Sequence, residues 1–226
     1  NQVCDSSYDS RNTWNGLSDF GKKVVREMNK IGMMIDVSHC TDKTFYDILK
    51  ITNKPLVATH SSPRKFTPNF ERNMSDNMIK DLASNNGLIM LNFGSGFISE
   101  QSNKSLGDIN SKVEKYKIQN NLEDSDKKLL KYKDDLINSV KPFASINDFI
   151  DTIDYVKELV GIDHIGLGSD FEGLGNTLPY DLKDASTYPN ILYNLLEREY
   201  SEIEIKKICS DNLFRVWNAN LQNRQI

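Results

Sequence analysis

Three cysteines in 226 residues, Cys4, Cys40 and Cys209, are odd in number, far apart and never in a C-x-x-C arrangement. That excludes a disulfide framework and a thiolate zinc site, and it favours a reducing compartment. Basic charge is also short: 28 Lys and Arg against 32 Asp and Glu leave a net charge of −4, with no field to neutralise a phosphate backbone, so nucleic acid is not an expected partner. No apolar run approaches the ~20 residues of a membrane-spanning helix, and the opening residues, "NQVCDSSYDS", are polar rather than signal-like. No G-x-G-x-x-G or P-loop follows any strand-like segment, which counts against a nucleotide-binding sheet. The N-x-S sequons at Asn73 and Asn103 matter only in a secreted chain. Histidine is scarcer than any of these expectations requires, with three in the chain.

What is present is a repeating alternation. In "GLSDFGKKVVREMNKIG", Ser18 is a candidate N-cap, Phe20, Val24, Val25, Met28 and Ile31 recur at helical spacing, and Gly32 suits the stop. Met33 to Val37 follows as a short apolar run that reads as a strand buried on both faces, interrupted only by Asp36. A second helix starts at Thr41 or Asp42 and leads, past Pro55, into the strand-like Leu56 to Thr59. A third runs from about Ser75 to Asn85 before "LIMLNF", and a fourth, "INDFIDTIDYVKELVG", precedes a strand from Ile165 to Gly168. Such alternation with short connections predicts a parallel α/β protein, a (β/α) barrel or a doubly wound sheet. The charged stretch 103–140 reads as a helical surface insertion with a solvated face. The tail holds two amphipathic helices, with Pro189 in the first turn of one and a Ser201/Glu204 capping box on the other.

In a parallel barrel the functional groups gather at the carboxyl ends of strands. His39, His60, Asn92 and Asp170 all fall at such ends. A single strand-end histidine is commonly structural, but two at matched positions on successive strands point to a shared ligand, and imidazole with carboxylate suits zinc. The chemistry this predicts is hydrolysis, with metal activating water and polarising a carbonyl. Asp170 has a competing role as a cap of the following turn, and Arg72 as a surface ion-pair partner rather than an anion clamp. Asp36 either orders a neighbour or is a structural oddity, and His164, ahead of its strand, reads as structural.

The segments "GLSDFGKKVVREMNKIGMMIDVSHC", "PLVATHSSPRKF", "ERNMSD", "GLIMLNF", "GIDHIGLGSDFEG", "DLKDASTYPNILYNLLE" and "DNLFRVW" together resemble, in order, the membrane dipeptidase (renal dipeptidase) family of zinc metallopeptidases. The resemblance implies a (β/α)8 TIM-like barrel of the metal-dependent hydrolase type, with two zinc ions and dipeptide hydrolysis by a metal-bridging water or hydroxide. It implies that His39 and His60 are metal ligands, that Arg72 holds the substrate carboxylate, and that Asp170 binds the substrate amine and assists proton transfer. It also implies a homodimer by analogy, and a location either lipid-anchored outside the cell or cytoplasmic.

The chain departs from the family pattern in three places. The family's upstream His-x-Asp pair has no counterpart, and the single Glu-Gly, Glu172-Gly173, belongs to "DFEG", so only the two histidines of the ligand set are present. Glu172 replaces the usual Asp, and Phe97 stands where some relatives carry a carboxylate-binding tyrosine. The expectation is therefore one domain over 1–226 that forms the carboxyl-terminal part of such a barrel. Its first strands and remaining ligands would come from an amino-terminal portion of the same protein.

Overall fold

Side chains that close the first turn recur at several helical starts, and they set those element boundaries in the computed structural model, which describes residues 2–222. Ser18 accepts from the Gly21 amide to start α1 (Asp19–Ile31), which stops at Gly32 in the left-handed region at φ 78°. Thr41 caps α2 (Asp42–Ile51). After β1 (Val57–Ser61), Ser75 caps α3 (Asp76–Ser84), and β2 (Leu88–Asn92) follows. The short α4 (Ser95–Ile98) leads into α5 (Glu100–Asn120) and α6 (Lys127–Val140). A Ser145/Asp148 capping box opens α7 (Ile146–Val160) before β3 (Ile165–Gly168) and the single turn α8 (Phe171–Leu174). In the tail are α9 (Tyr188–Glu197), with proline in its first turn, and α10 (Glu202–Lys206), which carries the Ser201/Glu204 capping box. A π turn over Lys207–Asp211 continues α10 into α11 (Asn212–Leu221). Each such cap is worth about 1 kcal/mol, so the local sequence fixes where helices begin before any packing is made.

The three strands form one parallel sheet in the order β1-β2-β3. One face, through Ala58, Ile89, Leu91 and Ile165, packs on Met78, Ile79 and Leu82 of α3 and on Phe149, Ile150, Ile153 and Val156 of α7. The other face, through Val57 and Leu88 with Met90, is covered by Val216 and Leu213 of α11 and by Met34. Phe93, just past β2 and fully buried, meets Phe149 at 4.5 Å between ring centroids and fixes the α7 side of the core. Both faces are thus sealed, as a parallel sheet requires. His164 bonds the Gly87 carbonyl through Nδ1 at 2.8 Å ahead of β3, in keeping with its structural reading.

Two expectations need correcting. Met33 to Val37 is not a strand. It makes one bridge, Asp36 to Val57, through bonds from the Val37 amide to the Val57 carbonyl (2.8 Å) and from the Val57 amide to the Ile35 carbonyl (3.1 Å). Nor is it buried on both faces: Ile35 and Val37 are buried while Met33 and Asp36 are exposed, an edge alternation. The helical stretch expected over 103–140 begins earlier, at Glu100, because the Ser99 hydroxyl accepts from the Ser102 amide. Its two helices are joined by Tyr116 stacked on Tyr132 at 4.1 Å. Asn73, the first sequon asparagine, is fully buried and bonded on both sides of its amide, so as folded it offers no acceptor for a glycan.

Gly168, at the end of β3, shows how tightly the sheet curls. A Cβ there would run into the Thr59 carbonyl oxygen, would lie 2.8 Å from the Met90 carbonyl and would lie 3.1 Å from the His60 Cα. Gly107, inside α5, faces open space. Urea denaturation should therefore give opposite signs: Gly168→Ala is expected to lose about 1–3 kcal/mol through overpacking, and Gly107→Ala to gain about 0.5–1 kcal/mol as a helix-interior glycine is removed. Equal midpoints for the two variants would contradict the close approach of β3 to β1.

Candidate metal and substrate site

At the carboxyl end of β1 the ladder carries one extra residue: Ala58 pairs with Ile89, yet Ser61 pairs with Leu91. A bulge of this kind re-aims side chains. Here the consecutive residues Thr59 and His60 both engage neighbours at the same strand end. His60 Nε2 lies 3.0 Å from His39 Nε2. His39 sits beyond the edge segment in the left-handed region at φ 69°, which is uncommon for a side chain larger than glycine, and turns its ring to meet His60 at 5.0 Å between centroids. The His39 carbonyl accepts from the Ser7 amide at 2.8 Å, which ties the ligand loop to the amino-terminal segment.

Asp36, the residue that interrupts the apolar run, serves this site. Its Oδ1 accepts from the Ser38 amide (2.9 Å) and the Thr59 amide (3.0 Å), and its Oδ2 accepts from the Thr59 hydroxyl (2.6 Å). The Thr59 Oγ1 is in turn 2.7 Å from His60 Nδ1. The Ser38 hydroxyl accepts from the His60 amide at 3.0 Å.

Arg72 is not a surface residue: it is 3% exposed. Its Nη1 donates to the Ser61 hydroxyl (2.8 Å), its Nη2 donates to the His60 carbonyl (2.7 Å), and its Nε has no acceptor among the described residues. The loop that carries it is pinned by Arg64, whose Nε donates to the Asn73 carbonyl (2.8 Å) and whose Nη1 and Nη2 grip the Asp42 carboxylate (2.8 and 2.5 Å). Phe97 faces the Arg72 guanidinium at 5.4 Å, so the contact there is cation–π rather than hydroxyl. Asp170, at the end of β3 and in the left-handed region at φ 55°, makes no capping bond to α8. Its Oδ2 accepts instead from Asn92 Nδ2 at 3.1 Å, and the same amide reaches the His60 carbonyl at 3.4 Å.

The four residues predicted from strand ends, together with Arg72, therefore meet. Partial burial pushes the pKa of both imidazoles below the ordinary value, Arg72 adds in the same direction, and Asp170 and Asp36 oppose. Burial likewise lowers the Arg72 pKa, countered by Tyr8 and Asp170. The lowered pKa favours the neutral form of both histidines, the state in which imidazole binds metal.

As a metal site the arrangement is half complete. Two imidazole nitrogens bound to one tetrahedral zinc at ~2.0–2.1 Å lie about 3.3 Å apart, close to the separation of the two Nε2 atoms, so the pair fits as two ligands of one ion. Among the described residues, no three His, Cys, Asp or Glu side chains are grouped to hold a metal. Three further features lay outside the sequence reading. Tyr8 stands over His39 with centroids 5.5 Å apart. Thr59 bridges Asp36 and His60. Cys4 and Cys40, both free, lie near enough to act on one another, which lowers the Cys4 pKa and raises that of Cys40. Only Thr59 left a signal, as the polar residue preceding a strand-end histidine.

The family signature of membrane dipeptidases (peptidase family M19) matches residues 1–225. An uncharacterized dipeptidase of Schizosaccharomyces pombe is 31% identical over 203 residues, 89% of this chain and 39% of that protein. Among solved structures, the probable dipeptidase PvdM of Pseudomonas aeruginosa superposes with a TM-score of 0.80 at 26% identity, over 99% of this chain and 60% of its own. A metallopeptidase of Rhodobacter sphaeroides, solved with a phosphinate mimic of the dipeptide L-Ala-D-Ala, shares the fold at a TM-score of 0.69 and 24% identity, over 91% of this chain and 47% of its own. The chain thus spans between 39% and 60% of the length of these relatives.

Proposed function

This chain belongs to the membrane dipeptidase family, and from that membership we propose that it carries part of the active site of a zinc-dependent dipeptidase, completed by an amino-terminal portion of the same protein. The observation that carries the reading is the pair of imidazoles with Nε2 atoms 3.0 Å apart at the ends of adjacent chain segments. The three-stranded sheet is read as an arc of a (β/α)8 barrel, with His39, His60, Asp170 and Arg72 at its carboxyl-terminal rim.

His39 and His60 would hold one zinc of two, with the remaining ligands supplied from outside the described residues. A zinc held there would supply Lewis acidity toward a peptide carbonyl and lower the pKa of water toward neutrality. The Arg72 guanidinium, buried with an unpaired Nε, would take the carboxylate of a dipeptide. The Asp170 carboxylate, held by Asn92, would face the substrate amine, take the proton given up by the attacking water and pass it to the leaving nitrogen. The phosphinate dipeptide mimic held by the Rhodobacter relative supports a substrate of that size.

The lack of a third donor among the described residues favours one other reading, a noncatalytic relative that keeps the scaffold for binding or assembly. Elemental analysis and a dipeptide-hydrolysis assay on the full-length protein separate the two. The proposal expects zinc in the purified protein, turnover lost on chelation and restored by zinc, and loss of both metal and turnover in His60→Ala. Turnover that survives chelation, or a His60→Ala protein as active as the wild type, would overturn it. A full-length protein that neither binds zinc nor cleaves dipeptides would establish the noncatalytic reading.

A further inference from the structure

We propose that Thr59, with Asp36 behind it, is a positioning residue that fixes the proton of His60 on Nδ1 and so keeps its Nε2 lone pair open toward His39. The inference rests on the reading of His60 as a metal ligand.

It follows from counting hydrogens. The Asp36 carboxylate is acceptor-only, and a threonine hydroxyl has a single hydrogen to give. Asp36 Oδ1 is occupied by the amides of Ser38 and Thr59. The contact of 2.6 Å between Oδ2 and the Thr59 hydroxyl therefore consumes the threonine's hydrogen. The second contact of that hydroxyl, 2.7 Å to His60 Nδ1, must then run the other way, with Nδ1–H donating to Oγ1. A neutral imidazole with its proton on Nδ1 has a bare Nε2, and His60 Nε2 is the atom that faces His39. Carboxylates that orient ligating histidines usually touch the ring directly. Here a hydroxyl stands between, because the bulge in β1 places Thr59 and His60 side by side at the strand end.

The chain of donors makes a sharp prediction for Asp36→Asn. The two backbone amides claim the asparagine oxygen, so its NH2 faces Thr59. The threonine hydroxyl then accepts from that NH2 and donates to His60 Nδ1, which moves the ring proton to Nε2. In the metal-free full-length protein, 15N NMR of the His60 side chain should show Nδ1–H in the wild type and Nε2–H in Asp36→Asn.

Zinc affinity, measured by competition with a chromophoric chelator, should fall about 10–100-fold in Thr59→Val. It should be restored in Thr59→Ser, which keeps the hydroxyl but not the methyl. An Nε2–H tautomer in the wild-type apoprotein overturns the proposal. So does wild-type zinc affinity in Thr59→Val when His60→Ala is weakened. If His60→Ala itself binds zinc like the wild type, the ligand assignment fails and this proposal falls with it.

Discussion

Asp170→Asn in the full-length protein is expected to lower kcat for dipeptide hydrolysis by about 10²–10⁴-fold, the range for loss of a positioned proton-transfer group, with KM moving by only a few-fold. The substitution is close to silent for the fold. Asparagine is, with glycine, among the residues that best tolerate the left-handed region that Asp170 occupies at φ 55°. Its side-chain oxygen can go on accepting from Asn92 Nδ2, now 3.1 Å from the Asp170 carboxylate. Only the charge and the ability to hold a proton are lost. Asp170→Ala is a poorer probe, since it adds backbone strain at the same position.

The kinetic split tells the two proposed duties of Asp170 apart. A fall confined to kcat identifies proton transfer, because an interaction made only in the transition state lowers kcat and kcat/KM together. A rise in KM at unchanged kcat would leave Asp170 as an anchor for the substrate ammonium alone. No change in either would remove it from the site.

The site was legible in the sequence where chemistry and local structure coincide. His60, Asn92 and Asp170 each end or follow a strand, which delivers them to the rim of a parallel sheet, and His39 reaches the same place from the edge segment bridged to β1. Helix starts at Ser18, Ser75 and Ser201 were readable for a similarly local reason: the capping hydroxyl and the amide it satisfies are three residues apart.

What could not be read depends on pairings distant in sequence. Met33 to Val37 has strand-like composition, but in the described residues its neighbour on one side is β1 and the ladder closes with a single bridge. Composition carries no count of neighbours. The face of Asp36 was misjudged for the same reason: a continuous apolar run implies two covered faces, and here the segment lies at an edge where one face is open. The burial of Arg72 depends on the Arg64–Asp42 clamp and on Asn73, which tie its loop to α2 and to Phe97, and a charged residue in a polar loop gives no hint of that. The Cys4–Cys40 contact joins residues 36 positions apart through the pairing of Ser6 with Cys40, which no spacing rule anticipates.

Arg72 carries the second large expectation, because in the proposed site its guanidinium would clamp the substrate while it also bonds the His60 carbonyl. Arg72→Lys should reduce kcat/KM for dipeptides by about 10²–10³-fold. A fork of charge-assisted hydrogen bonds worth about 1.5–3 kcal/mol each is replaced by a point charge that cannot hold the same geometry. Some of any loss will be structural: Nη2 also supports the His60 carbonyl and Nη1 the Ser61 hydroxyl, and lysine cannot reach both. The substrate series separates the two causes. A dipeptide amide has no carboxylate to clamp, so on the proposed reading the wild-type protein should already turn it over poorly, and Arg72→Lys should cost little more. If the defect is instead the same for acid and amide, the lysine has displaced His60 and its ligand geometry, and Arg72 acts through the metal site. The first outcome is the one the proposal expects, since the buried guanidinium keeps a donor, Nε, without a partner among the described residues.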